Sequence, residues 1–293
     1  MGDRELHPPS WRYRLVRRTR RYRDTRGWGR LADFVAARGM SGRFRVANGS
    51  FIHEGDVSDL IDRELYLRGG YEDQKISLFL SRVPSDRRTS ILDVGANVGT
   101  HTLPFARTFA QVHAFEPNPE VVRKLRQNVA LNDNLNVAIH PCGLSDERAE
   151  RTFYSVPSKH NPGLGTFSSV EQYDVPLDAV DRLEVVEGDG YLESLGVERV
   201  DAIKVDVQGY EHRVLAGLRR TLEHNRPYVW IEYGAATRDA LKDGNTFRAM
   251  FPYPIDLFLF AYVTHGCVHA TQLVDVQRRT TLPFGDYLVV PRP

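Results

Sequence analysis

From Ser90 onward the chain alternates short apolar runs with stretches whose apolar residues recur at helical spacing. The runs are S-I-L-D-V (90–94), Q-V-H-A-F-E (111–116), residues 135–140, V-D-A-I-K-V-D-V (200–207) and P-Y-V-W-I-E (227–232). Runs this continuous suit strands covered on both faces. Residues 118–131 and 210–224 predict amphipathic helices, the second with Val214, Leu215, Leu218 and Leu222 on one stripe. Such alternation predicts an α/β domain with a mostly parallel sheet. The end differs: 255–263 and 284–291 have no helical pattern between them and predict an antiparallel pair finishing the sheet.

Upstream, residues 57–68 and 71–82 carry helical spacing that stops before Pro84, and 28–38 suits a short helix. Residues 42–53 predict a hairpin in which Asn48-Gly49 supplies the positive φ angles of a type I′ turn. Between 141 and 190 the alternation lapses. R-T-F-Y-S-V (151–156) and R-L-E-V-V-E (182–187) predict strands, joined by a Pro-, Gly- and Ser-rich segment, 157–169, of the kind that serves as a binding loop or a plain surface loop. The chain thus divides into an arm (1–27), a helix and hairpin cap (28–84) and a main domain (85–293).

Composition changes this picture little. At 293 residues, 41% hydrophobic and 26% charged, the chain has the make-up of a globular protein. No apolar run is long enough to span a bilayer, and the N-terminus lacks the apolar core of a secretory signal. Cys142 and Cys267 match no metal spacing and suit buried positions in a reducing, cytoplasmic setting. Charge is less even. Residues 1–30 hold ten Arg against Asp3, Glu5 and Asp24, a balance of +7, so the remainder carries −6 within the total of +1. A basic arm can contact an anionic surface or nucleic acid, or pack on its own acidic body.

The candidate chemistry lies in I-L-D-V-G-A-N-V-G-T-H-T (91–102). A buried strand ends at Asp93 and Val94, and Gly95 and Gly99 let the chain turn tightly into a helix. This is where doubly wound sheets bind ligands. Glu116 stands at the tip of the second strand, where an acid can accept hydrogen bonds from ribose hydroxyls. The turn lacks the G-x-G-x-x-G that admits a pyrophosphate, and Asn97 occupies the middle position, which favours S-adenosylmethionine over a nicotinamide dinucleotide.

D-V-G-A-N-V-G (93–99), A-F-E-P-N-P (114–119), C-G-L-S-D (142–146), I-K-V-D-V-Q-G-Y-E (203–211) and V-L-A-G-L-R-R-T-L (214–222), with G-G-Y-E (69–72) upstream, resemble the FkbM family of methyltransferases across about residues 68–233. The resemblance implies the Rossmann-like class I methyltransferase fold, a seven-stranded sheet with a reversed last strand. It also implies S-adenosylmethionine as methyl donor and a hydroxyl oxygen as acceptor. Gln208 stands where the family usually has Glu, so any proton-accepting role there is lost.

On that basis the donor site comprises Gly95, Asn97 and Gly99 around the methionine portion, Thr102 near its carboxylate and Glu116 on the ribose. Asp93 orients the turn, Asn118 and Cys142-Gly143-Leu144 flank the adenine, and Glu72 closes from the cap. Asp206, ending the fourth strand, is the candidate base for the hydroxyl proton, or a holder of the donor's amine. Glu232 ends the fifth strand beside it, and the two carboxylates can hold a divalent metal such as Mg²⁺. His101, nearest the donor turn, and His160, in the 157–169 loop, are further catalytic candidates. Glu211 and His212 begin a helix, where an acid is stabilised without any catalytic role. The expected partner is a small-molecule or glycan acceptor with a hydroxyl group. Two alternatives compete: a nucleic-acid methyltransferase, disfavoured because D-V-Q-G replaces the N/D-P-P-Y/F of amino-methylating enzymes, and a non-catalytic module that binds S-adenosylmethionine.

Overall fold

The computed structural model describes residues 4–7, 11–25, 28, 30, 34, 42–48, 51–155, 165–168, 178–265 and 268–293. Its strands, in chain order, begin with β1 (Arg4–His7), β2 (Arg43–Asn48), β3 (Phe51–Asp56), β4 (Ser90–Val94), β5 (Gln111–Phe115), β6 (Val137–His140), β7 (Gly143–Ser145) and β8 (Ala149–Ser155). They continue with β9 (Gly165–Thr166), β10 (Asp178–Glu187), β11 (Ala202–Val205), β12 (Tyr228–Tyr233), β13 (Ile255–His265), β14 (Val268–Asp275) and β15 (Gly285–Pro291).

Among the described residues the main sheet has eight strands, in the order β14-β13-β15-β12-β11-β4-β5-β6. Strands β6, β5, β4, β11 and β12 are mutually parallel, and β15 enters antiparallel between β12 and β13. Every residue of β4 and β11 is buried, which is why these segments read as continuous apolar runs. Apart from β14, the order by chain position is 3-2-1-4-5-7-6 with the last strand reversed, the class I methyltransferase arrangement. The expected seven strands are corrected to eight. β14 pairs antiparallel with β13 from Phe258↔Asp275 to His265↔Val268. None of its described side chains is fully buried, so no apolar alternation marked it.

The helix Pro119–Ala130 starts where Asn118 accepts the Glu120 N–H and a proline occupies the first position. The 210–224 stretch forms two helices, Glu211–Gly217 and Arg219–Asn225, and its four-residue apolar stripe is wholly buried. The irregular 141–190 region builds a second sheet, β7-β10-β8-β9. Within it the two predicted strands, β8 and β10, pair antiparallel, while Gly143 and Leu144 of the expected Cys142–Leu144 turn lie instead in β7, which pairs parallel with β10.

The cap carries helices Leu60–Arg68 and Asp73–Arg82 and the β2–β3 hairpin, paired from Arg43↔Asp56 to Asn48↔Phe51. Gly49 of the predicted turn, and all of the 28–38 helix except Trp28, Arg30 and Phe34, lie outside the described residues. Asn128 and Asn132 tie the hairpin to the main domain by accepting the N–H groups of Glu54 and Ile52 at 2.9 and 2.8 Å. The arm joins the same layer. β1 pairs with β2, and the helix Trp11–Arg18 buries Tyr13 and Val16 against Phe44, Leu65 and Tyr66. No helix among the described residues is long and apolar enough to cross a membrane.

The chain leaves β4 toward β5 and β6 on one side and returns to β11 on the other. That reversal opens a crevice beyond the carboxyl ends of β4 and β11, the place where open α/β sheets bind ligands.

Candidate active site

A cavity of about 470 Å³ fills this crevice, within the ~300–1,000 Å³ usual for small-molecule sites. The tips of β4, β5, β11 and β12 form its floor. The helix region 60–75 of the cap closes one side, and Phe153 of β8 with Phe167, just after β9, closes another.

At one end the β4 turn meets the tip of β5. Gly95 adopts φ +81°, and a Cβ there would lie 1.9 Å from the Asp206 carbonyl oxygen, so no other residue fits. Gly99 is similarly left-handed at +95°, and a Cβ would meet Leu125 at 2.9 Å. The carboxylate of Glu116 points into this turn. It accepts the Asn97 N–H at 3.1 Å and the Asn118 N–H at 3.0 Å. Burial outweighs these bonds and pushes its carboxyl up to about 7. Each oxygen has a further lone pair, and the group lines the cavity. A buried carboxylate oriented by two main-chain donors suits a diol, and with the glycine turn beside it the wall fits the ribose and amino-acid ends of S-adenosylmethionine.

The other end is acidic. Asp206 and Glu232, on adjacent strand tips, are both bonded by the Gln208 side-chain amide, at 2.6 and 3.0 Å. Burial, then the charges of Asp206, Glu211 and Asp286, pushes Glu232 up to about 10, so it carries a proton near neutral pH. Lys204 lies beneath, its Nζ 3.0 Å from the Gly95 carbonyl, 3.6 Å from Asp206 and 3.7 Å from Asp93. Burial disfavours its charge, but Asp206 and Asp93 hold its pKa above the usual lysine value. From the cap, Lys75 bridges Glu72 and Asp286, and Glu72 also holds His101 Nε2 at 3.1 Å. Burial would raise Glu72, yet His101 and Lys75 bring it down to about 2. The His101 ring stands edge-on to Trp230, with centroids 5.0 Å apart.

Of the residues singled out in the sequence, Glu72, Gly95, Asn97, His101, Glu116, Gly143, Leu144, Asp206 and Glu232 line this one cavity. Others stand back from it. Asp93 is fully buried and accepts the Thr102 hydroxyl at 2.6 Å, so this pair braces the turn from behind, and the expected carboxylate contact of Thr102 is corrected. Asn118 caps its helix, Gly99 packs on Leu125, and Cys142 is a buried free thiol behind Gly143. None of these lines the cavity. His160 and Cys267 lie outside the described residues. Glu211 is buried and accepts the Val207 and Gly209 N–H groups, which holds the Asp206–Gly209 turn. The proposed metal pair is spanned by the Gln208 amide, and no cluster of three or more metal-binding side chains occurs among the described residues.

Sequence reading passed over Lys204, Lys75, Asp286 and Tyr71. Lys204 was legible as the one cation inside a buried apolar run. Lys75 and Asp286 meet across 211 residues and gave no local signal.

A 3-2-1-4-5-7-6 sheet with a glycine turn after its first strand and an acid at the tip of its second defines a class I S-adenosylmethionine-dependent methyltransferase. Within that class the Methyltransferase FkbM domain is matched over residues 93–259, more than half of the chain, and the protein belongs to this family. Among similar proteins, hexuronic acid methyltransferase AglP of Haloferax volcanii is 32% identical over 179 residues, 60% of this chain and 68% of AglP. The 2-O-methyltransferase NoeI of Sinorhizobium fredii is 29% identical over 157 residues, 49% of this chain and 62% of NoeI. A solved methyltransferase FkbM from Methylobacillus flagellatus KT is 16% identical with a TM-score of 0.41, covering 77% of this chain and 52% of that one.

Proposed function

We propose that this enzyme methylates a hydroxyl oxygen on a sugar, glycolipid or other natural product. The observation that carries the reading is the polarity of one cavity, with a diol-binding carboxylate at one end and Asp206 at the other. The names of AglP and NoeI, a hexuronic acid methyltransferase and a 2-O-methyltransferase, support it.

Bound S-adenosylmethionine supplies an electrophilic methyl group on sulfur. Glu116 accepts the ribose hydroxyls, and the Gly95–Gly99 turn with Asn97 holds the amino-acid end. Gly143 and Leu144 flank the adenine, with Phe167 packed over Gly143. The acceptor enters between the cap and the tips of β11 and β12. As the O–CH₃ bond forms and the S–CH₃ bond breaks, Asp206 takes the hydroxyl proton. Burial and the charges of Asp206, Glu211 and Asp286 favour the protonated form of Glu232, which leaves Asp206 as the proposed base of the pair. Aligning donor and acceptor can supply about 7–11 kcal/mol of barrier reduction. The test is release of S-adenosylhomocysteine in the presence of uronic-acid oligosaccharides, with methylation mapped by mass spectrometry. Methylation of a ring hydroxyl, lost in Asp206→Asn, supports the assignment; transfer to nitrogen, or to RNA alone, removes it.

The basic arm we assign to contact with an anionic membrane surface. The inner face of the helix Trp11–Arg18 packs on the cap, while Trp11 and Leu15 are 62% and 55% exposed on the outside, beside Arg14 and Arg18. Exposed aromatic and aliphatic side chains interleaved with arginine, with no acid in the helix, suit a headgroup region. The buried free thiol of Cys142 supports a reducing, cytoplasmic setting.

A further inference from the structure

Gln208 lies two residues beyond Asp206 with left-handed backbone, φ 56°. Its turn is fixed from both sides: Glu211 accepts the N–H groups of Val207 and Gly209, and the Thr166 hydroxyl donates to the Gln208 carbonyl at 2.7 Å. The side chain therefore projects from a rigid support. Its Nε2 reaches Asp206 Oδ1 at 2.6 Å and Glu232 Oε2 at 3.0 Å. The amide nitrogen carries two hydrogens and can serve both groups at once, the Asp206 carboxylate with one and the accepting oxygen of the Glu232 carboxyl with the other. Two carboxyl groups this close, in a partly buried cavity, are ordinarily reconciled by a shared proton or by a cation.

We propose that Gln208 is a positioning residue whose amide stands between Asp206 and Glu232 in the place of a divalent cation, so that the enzyme holds Asp206 toward the acceptor and works without a metal. The rest of the acidic end is neutralised from within. Lys204 lies 3.6 Å from the second oxygen of Asp206, and Lys75 bridges Glu72 and Asp286. Each carboxylate at this end thus meets a donor that belongs to the chain itself. The role assigned to Asp206 rests on the oxygen-methylation reading above; the exclusion of metal rests only on the amide.

The test compares the wild type, Gln208→Glu, Gln208→Ala and the double variant Gln208→Glu/Asp206→Asn. Melting temperature is followed with and without millimolar Mn²⁺, and methyl transfer with and without EDTA. The wild type is expected to show no Mn²⁺-dependent rise and no loss of turnover in EDTA. Gln208→Glu, with three carboxylates around one point, gains a rise of a few degrees that the double variant lacks. Gln208→Ala loses about tenfold or more in kcat while its Kd for S-adenosylmethionine stays within about twofold, because only alignment is lost. Wild-type turnover abolished by EDTA and restored by Mn²⁺, equal Mn²⁺ shifts in wild type and Gln208→Glu, or an unchanged kcat in Gln208→Ala each overturn the proposal. If Gln208→Glu does not fold, the wild-type EDTA response and Gln208→Ala still decide it. Mn²⁺ binding needs no turnover, so failure of the acceptor reading is distinguishable from failure here.

Discussion

Glu116, as the proposed ribose ligand, is expected to couple cofactor binding to pH through its burial. Its carboxyl is pushed up to about 7 with the two main-chain donors already in place, and ribose hydroxyls add donors that favour the ionised form. Below that pH the proton must be lost on binding, so affinity falls; above it, affinity levels off. Calorimetry between about pH 5.5 and about pH 8.5 is expected to show S-adenosylmethionine affinity rising by up to ~10-fold per unit on the acid side, with proton release on binding. A pH-independent affinity contradicts this. At the opposite end, Asp206→Asn removes the proposed base but neither the glycine turn nor the proposed ribose ligand. The expected loss is ~10²–10⁴ in kcat, with donor Kd within a few-fold, read by single-turnover kinetics. Glu116, Asp206 and Glu232 were legible because each acid ends an apolar run. What sets the last two apart was not, since burial and the charges of Glu211 and of Asp286 on β15 act on Glu232.

At the scale of elements, the register of β4 against β11 makes the site. Lys204 lies opposite Asp93 and Val205 opposite Val94, so the Gly95 turn and Asp206 come together at the strand ends. A Cβ at Gly95 would collide with the Asp206 carbonyl in a backbone region that L residues avoid. Gly95→Ala is expected to destabilise the fold by more than ~1 kcal/mol and to abolish donor binding, measured by denaturant titration and calorimetry. Lys204→Met leaves Asp93 buried without its cation and is expected to cost ~3–5 kcal/mol in the same titration. A variant as stable as wild type contradicts the bracing role. Strands buried on both faces announced themselves in the sequence, as did helices with a clean stripe. Of the second sheet only β8 and β10 did; β7, β9 and β14 did not. The first two of these are short and β14 has no fully buried described side chain, so neighbours distant in the chain, not local pattern, define them.

Across the whole molecule, the basic arm, the hairpin and the cap helices form one layer against the catalytic domain. Part of the arm's charge is used inside it. Arg17 donates to the Tyr66 carbonyl at 2.7 Å, and Arg23 donates to the Arg68 carbonyl and to Asp73. The outward helix face remains, and sedimentation with phosphatidylglycerol vesicles is expected to retain the protein at low salt. Phosphatidylcholine vesicles should not, and Trp11→Ala/Leu15→Ala should weaken retention several-fold. Equal retention by both lipids, or preference for RNA, contradicts a membrane contact. Sequence charge alone marked the arm as basic; only tertiary packing separates the arginines that hold the cap from those that face outward. The proposed donor pocket at the tips of β4 and β5 underlies the methyl-transfer reading, and a crystal structure with S-adenosylhomocysteine tests it most directly. Both ribose hydroxyls should lie ~2.5–3.2 Å from the Glu116 carboxylate. A ribose bound elsewhere, with Glu116 untouched, would contradict the site.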